Sequence, residues 1–260
     1  MDISFVILTW NSEKFIGNCL ESILKTVDCS KYEYEIFIVD NDSTDSTRNI
    51  LAAYKRQLAE TMRVILLAHN YGTTISRNLA FRKAKGRYIV ALDSDVELMD
   101  GTIDNLVAAM NEPSIGLVAP RLVYPDGEIQ KSTDTFPTIT SKILRLFFLK
   151  KMERSLLGKP IELTTVDYAI SALWLFRRTL FDTVGLLDEK IFFAPEDADF
   201  CLSIWKHGLS VFYCPDAVAI HHTQEISRGF RLNRAKLDHV TGLFYFFRKH
   251  GFLFKAPAFR

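Results

Sequence analysis

Asp93-Ser94-Asp95 is the part of this chain whose residue types and spacing most plainly suit chemistry. Two carboxylates two residues apart leave the end of a short apolar run, Tyr88-Ile89-Val90-Ala91-Leu92. That run is β-branched and aromatic, follows Gly86-Arg87, and reads as a buried strand. A hard divalent cation prefers such oxygen ligands, and Mg²⁺ or Mn²⁺ commonly bridges them to substrate phosphates. The same tripeptide also suits a polar strand-to-helix turn, with Asp95 or a neighbour capping the following helix.

Three other polar clusters stand at strand ends. Ile3 to Leu8 leads into Thr9-Trp10-Asn11, and Glu35 to Val39 leads into Asp40-Asn41-Asp42-Ser43-Thr44-Asp45. Arg63 to Ala68 leads to Asn70-Tyr71-Gly72 and then Ser76-Arg77-Asn78. In a parallel sheet these ends lie along one edge and converge on one ligand. Asp40 or Asn41 suits a pyrimidine edge or a ribose, and the planar fork of Arg77 suits a phosphate. Each residue taken alone also suits a turn or cap, and for Ser43 that is the better reading.

The elements that must position these groups alternate. Glu13 to Val27 carries apolar residues at helical spacing. Ser43 to Glu60 reads as a second helix, capped by Ser43 or Thr44, Thr74 to Lys85 as a third, and Gly101 to Met110 as a short fourth. Strand and helix in alternation predict a mainly parallel sheet covered by helices on both faces. Beyond Pro113 the pattern loosens. Gly116 to Val123 and Val166 to Phe176 read as strands, and Pro125-Asp126-Gly127 as a turn. Asp197 to His207 reads as a helix closed by Gly208. Val211 to Tyr213 and Ala217 to Ile220 read as short strands around Pro215-Asp216.

Composition sets limits. The 260 residues are 48% hydrophobic and 24% charged, enough for a sizeable core in a globular protein. A net charge of +1 gives no reason to expect nucleic acid. Cys19, Cys29, Cys201 and Cys214 form no C-x-x-C pair and read as buried thiols in a reducing compartment. The chain opens directly on a strand, with no signal-peptide pattern, and no apolar stretch reaches the length of a spanning helix. A cytoplasmic protein is expected, with peripheral attachment to the inner membrane as a further option. Residues 142–157 and 228–260 mix basic and apolar side chains. Such helices lie on an anionic membrane surface or pack into a core with solvated charged faces.

Taken in order, these motifs resemble the inverting family 2 glycosyltransferases. The resemblance runs through Ile3 to Asp45, Asn70-Tyr71-Gly72, Ser76-Arg77-Asn78 and Leu92-Asp93-Ser94-Asp95. It continues through Val166-Asp167-Tyr168, Val184-Gly185-Leu186-Leu187-Asp188, and Phe192-Phe193-Ala194-Pro195-Glu196-Asp197-Ala198-Asp199, to Ile220-His221-His222. This order is similar to the rhamnosyltransferase-like branch. The implied fold is α/β: the GT-A nucleotide-sugar-binding form, with a mainly parallel central sheet flanked by helices and a Rossmann-like N-terminal half. The implied division is one domain over residues 1–225, with a nucleotide-sugar half at 1–112 and an acceptor and catalytic half at 113–225. A basic aromatic helical tail would follow at 226–260.

The resemblance also implies roles. Asp93 and Asp95 would hold Mn²⁺ or Mg²⁺ against the diphosphate of a nucleotide-sugar donor, and His221 would complete the metal site. A strand-end histidine with a structural hydrogen bond is the alternative for His221, and His222 is the next candidate ligand. Asp197 would be the base that takes the proton of an acceptor hydroxyl. Thr9, Asn11, Asp40, Asn41 and Arg77 would face the donor, with Gly72 and Ser94 beside them. Ser171 and Ala172 would lie near the donor sugar. Relatives usually carry glycine at the position of Ser171, and often arginine at Ser203. The acceptor would be a glycan or a lipid-linked glycan of the cell surface. Two alternatives are a nucleotide-sugar-binding module without turnover and a sugar-nucleotide nucleotidyltransferase. The second would want a glycine-rich, lysine-containing loop where this chain has Thr9-Trp10-Asn11-Ser12-Glu13-Lys14.

Overall fold

The structure, a computed structural model, describes residues 1–28, 31–141, 162–223 and 234–259. The segment 142–157, residues 228–233 of the basic tail, and Cys29 lie outside the described residues.

The first half winds β1 (Ile3–Thr9), α1 (Ile16–Thr26), β2 (Tyr34–Asp40), α2 (Thr47–Gln57), β3 (Met62–Leu66), α3 (Gly72–Phe81) and β4 (Tyr88–Asp93). Then come β5 (Val96–Leu98), α4 (Thr102–Ala109), β6 (Ile115–Val123) and the short β7 (Thr133–Asp134), β8 (Thr164–Thr165) and β9 (Tyr168–Ala169). The chain continues through β10 (Leu173–Arg177), α5 (Leu180–Val184), α6 (Glu196–Lys206), β11 (Ser210–His221) and α7 (Arg234–His250).

Among the described residues the main sheet runs β3-β2-β1-β4-β10-β6-β11-β5, with β8 beside β11. The first four strands are parallel. β10 enters antiparallel between β4 and β6, so one continuous sheet links the two halves of the chain. Alternation along β1 explains the two layers. Ile3, Phe5 and Ile7 face one core with Ile16, Leu20 and Ile23 of α1, a helical i, i+4, i+7 stripe. Val6 faces the other, with Phe81 of α3, Phe200 of α6, and Phe246 and Phe247 of α7. Part of the basic tail is therefore core. Phe259 stacks on Trp205 with ring centroids 5.7 Å apart.

Four expectations change. Asp93-Ser94-Asp95 leads into a strand, β5, rather than a helix. α2 begins at Thr47, because Ser43 Oγ accepts the Asn11 N–H and Thr44 N–H donates to Asn11 Oδ1, holding the intervening loop open. Val166 to Phe176 is two strands, broken by a turn at Ser171-Ala172. β11 is continuous from Ser210 to His221, with a register shift between Cys214 and Val218 that absorbs Pro215-Asp216.

Candidate active site

The ends of β1, β2 and β4 lie side by side, with Thr9 opposite Asp40 and Leu8 opposite Asp93. Asp40 is buried, pairs with Arg48 Nε at 2.6 Å and accepts the Ser43 N–H. Its Oδ1 and the neighbouring Thr9 Oγ1 are buried with no hydrogen-bond partner among the described residues. Buried polar atoms ordinarily have partners, so both atoms are available to a polar group from outside the described residues.

Asn41 is used differently. Its Oδ1 accepts the Tyr71 N–H and the Ser76 hydroxyl, and its Nδ2 donates to Asn70 Oδ1 and the Gly72 carbonyl. It shapes the loop into α3 rather than offering a free amide. Asn11, at φ +49°, ties the β1 loop to the β2 loop. Ser12 and Ser94 share a hydroxyl hydrogen bond of 2.7 Å, which fixes the β4–β5 turn against the same loop.

Arg77 is fully buried. Its Nη2 donates to Asp93 Oδ1 and to the Ser171 carbonyl, while Nε and Nη1 have no partner among the described residues. The guanidinium thus sits on a carboxylate of Asp93-Ser94-Asp95, not in open solution awaiting a phosphate. Burial pushes the Asp93 carboxyl up to about 6 against the pull of Arg77, and the Asp95 charge adds to the rise.

β11 runs antiparallel to β5 and places His221 opposite Val96. One ligand atom each from Asp93, Asp95 and His221 lies within 4.8 Å of the others. His221 Nε2 is 3.5 Å from Asp95 Oδ1. Its Nδ1 lies 2.9 Å from Gln130 Oε1, an oxygen that only accepts, so Nδ1 carries the proton and Nε2 is the free lone pair. This arrangement leaves Nε2 able to bind a cation. His222 instead meets Glu97 at 2.6 Å and packs beside Phe15.

α6 opens with Glu196, Asp197 and Asp199, where the helix N-terminus favours negative charge. Glu196 is buried and accepts the Ser171 hydroxyl at 2.9 Å. Burial pushes its carboxyl up to about 8, with the Asp197 charge adding to the rise. Asp197 is half-buried. A chain of contacts therefore runs from the half-buried Asp93 through the buried Arg77 and Ser171 to Glu196, the neighbour of Asp197. Ala172 lies buried in the same turn, and its carbonyl accepts the Asp93 N–H at 2.9 Å.

A second link joins α3 to the segment before α6. Thr73 N–H donates to the Phe192 carbonyl at 2.7 Å, Thr74 Oγ1 to the Ile191 carbonyl at 2.6 Å, and Asn78 Nδ2 to the Leu187 carbonyl at 2.9 Å. The local sequence carries no sign of Gln130, of the Ser171–Glu196 bond or of this link. All three join residues distant in the chain. Only the acidic run at Glu196 hinted at a crowded carboxylate.

Residues 4–185 match the model of glycosyl transferase family 2. The chain belongs to this family. The N-acetylglucosaminyl-diphospho-decaprenol L-rhamnosyltransferase of Mycobacterium tuberculosis is 26% identical over 265 residues, covering 93% of this chain and 84% of that protein. The putative teichuronic acid biosynthesis glycosyltransferase TuaG of Bacillus subtilis is 34% identical over 112 residues. That match covers 43% of each chain, so this family 2 chain matches less than half of the length of that relative. In fold, GalNAc-T7 solved with UDP, GalNAc and Mn²⁺ superposes with a TM-score of 0.72 at 17% identity, over 95% of this chain and 48% of that one. The mannosyltransferase PcManGT of Pyrobaculum calidifontis, solved with GDP-Man and Mn²⁺, gives 0.66 at 18% identity, over 98% and 65%. This family 2 chain thus has the GT-A fold, a mixed, largely parallel sheet flanked by helices. Among its described residues no helix is long and apolar enough to cross a membrane.

Proposed function

We propose that this chain is a metal-dependent inverting glycosyltransferase. It moves a sugar from a nucleotide-sugar donor to a glycan or lipid-linked glycan in cell-surface polysaccharide synthesis. The observation that carries this reading is the convergence of Asp93, Asp95 and His221, with ligand atoms within 4.8 Å, at the sheet edge to which Arg77 and Ser171 also tie α6. In this reading residues 1–112 bind the donor, residues 113–225 bring the acceptor and the base, and 226–260 is a basic aromatic helical tail that packs partly into the core.

The donor set fits Mn²⁺ or Mg²⁺: two carboxylates and an imidazole whose tautomer Gln130 leaves open at Nε2. When bound, the cation supplies positive charge that stabilises the departing nucleoside diphosphate. Asp40 Oδ1 accepts from a ring N–H of the nucleobase, and Thr9 Oγ1 bonds beside it. Asn11, Asn41, Gly72 and Ser94 hold the surrounding loops in place. Arg77 keeps Asp93 oriented, and the Ser171-Ala172 turn stands at the sugar. Asp197 takes the proton of the acceptor hydroxyl as its oxygen attacks the anomeric carbon and the bond to the diphosphate breaks. One base and one displacement invert the configuration without a covalent sugar–enzyme intermediate.

The outer face of α7 exposes Val240 and Phe244, with Leu253 and Phe254 beyond its end. We assign this face to peripheral contact with the cytoplasmic leaflet of the membrane. Co-sedimentation with anionic liposomes tests it, and equal partitioning after Phe244→Ser with Phe254→Ser counts against it.

The enzymatic reading is tested with a panel of UDP, GDP and dTDP sugars, with and without Mn²⁺. A bound ligand raises the melting temperature. Asp197→Asn is expected to lower hydrolysis or transfer by about 10²–10⁴-fold while nucleotide binding persists. Unchanged turnover in that variant would falsify the base assignment.

A further inference from the structure

α7 reaches the helix that carries Asp197 through a cluster of charged and polar groups around the buried Asp199. Asp199, two residues past Asp197, has a side chain only 4% exposed. Lys249 Nζ meets Asp199 Oδ2 at 2.8 Å, and His250 Nε2 meets Asp199 Oδ1 at 2.8 Å. Each carboxylate oxygen therefore has its own partner from α7. Lys249 also bridges to Asp188 Oδ2 at 2.8 Å, and that oxygen accepts the Tyr245 hydroxyl at 2.9 Å. His250 Nδ1 lies 2.8 Å from Lys206 Nζ, in the last turn of α6. The ammonium donates there, which leaves the His250 proton on Nε2, pointing at Asp199.

The same helix also presses on the segment that leads into α6. A Cβ on Gly242 would lie 2.0 Å from the Ala194 carbonyl oxygen, so α7 runs in close contact with the backbone three residues before Asp197. α7 therefore touches α6 before its first turn, within it and at its far end. An acidic first turn is already favoured by the helix dipole without such partners. A general base, in contrast, must sit within hydrogen-bond reach of one hydroxyl.

We propose that Lys249 and His250 are positioning residues: through Asp199 they hold the first turn of α6 in the orientation that aims Asp197 at the acceptor. This rests on the reading of Asp197 as the base. The tail of the chain is then part of the catalytic apparatus without touching substrate.

The test uses the full chain, Mn²⁺, and whichever sugar of the UDP, GDP and dTDP panel the wild type hydrolyses fastest. Lys249→Met and His250→Leu, which each remove one partner of Asp199, are expected to lower kcat about tenfold, as small misplacements of a catalytic group do. Donor KM and Mn²⁺-dependent nucleotide binding are expected to stay as in wild type. Lys249→Arg, which keeps a cation, retains kcat. In the Asp197→Asn background, Lys249→Met brings no further loss of residual turnover. Wild-type kcat in the folded single variants, or the same loss in both backgrounds, overturns the positioning role. Wild-type turnover in Asp197→Asn alone overturns the base assignment instead, so the two failures are distinguishable. His250→Leu removes the bond to Asp199 while keeping an apolar side chain beside Phe246 and Phe252, and keeps the test decisive if Lys249→Met does not fold.

Discussion

The imidazole of His221 is held by Gln130, with Nδ1 2.9 Å from the amide Oε1 across 91 residues of chain. The bond turns Nε2 toward Asp95 and sets which nitrogen can bind a cation. Gln130→Leu removes the bond and frees the ring to rotate. Mn²⁺ affinity measured by calorimetry is expected to fall about 10–100-fold, the usual effect of losing an outer partner of a ligand. Unchanged Mn²⁺ affinity in this variant would show that Gln130 does not orient the ring.

Ser171 and Glu196 give a pH dependence with a definite sign. Burial pushes the Glu196 carboxyl from 4.5 up to about 8, with Asp197 adding to the rise, while Arg77 and Ser171 pull it down. The folded chain keeps this proton where the unfolded chain has released it. The associated stability is full below 4.5 and is lost as pH rises through about 8. Glu196→Gln carries no such titration and keeps an oxygen for the Ser171 hydroxyl. In melts from about pH 5 to about pH 8.5, wild type should lose stability relative to Glu196→Gln as pH rises. Parallel curves would rule out a raised carboxyl.

Arg77 is the cation under Asp93, and nothing else among the described residues donates to that carboxylate. Arg77→Met leaves the half-buried Asp93 carboxylate without its partner and strands the Ser171 carbonyl. Breaking a fully buried pair costs about 3–5 kcal/mol, and solvent at Asp93 lowers the expected loss to about 1–3 kcal/mol. Urea denaturation measures it, and a loss below about 1 kcal/mol would mean that water reaches Asp93 readily.

Gly72 opens α3 at φ +79°, and a Cβ there would stand 2.1 Å from the Phe192 carbonyl oxygen. Gly72→Ala therefore strains the backbone and pushes away the segment that leads into α6. A loss of more than about 1 kcal/mol in stability is expected, with lower turnover as the start of α6 shifts. A stable variant with full activity would show that the 187–193 segment adjusts freely.

Elements were legible in the sequence because their signals are local. Ile16, Cys19, Leu20 and Ile23 repeat at helical spacing, and the β1 residues alternate between two cores. The apolar run from Tyr88 to Leu92 marked the strand that ends in Asp93, and glycine marked the close of α6. Family order in the motifs carried the fold class with them.

Pairing decided the rest. Whether Asp93-Ser94-Asp95 turned into a helix or a strand depended on β11 offering an edge to β5, a contact between residues more than a hundred positions apart, as in the 125-residue span from Glu97 to His222. The Ser171-Ala172 turn broke an expected strand because the turn meets α6 and β4 at once. Asn41, a plausible ligand for a base when read alone, proved to be occupied on both ends of its amide by the loop into α3. The basic aromatic tail offered core packing, the preferred reading, or a membrane surface; the fold places Phe246 and Phe247 inside and Lys249 and His250 on Asp199. Residue spacing specifies which faces are apolar and where carboxylates leave a strand. Which distant donor meets which carboxylate follows only from sheet register, and register is a property of the whole folded chain.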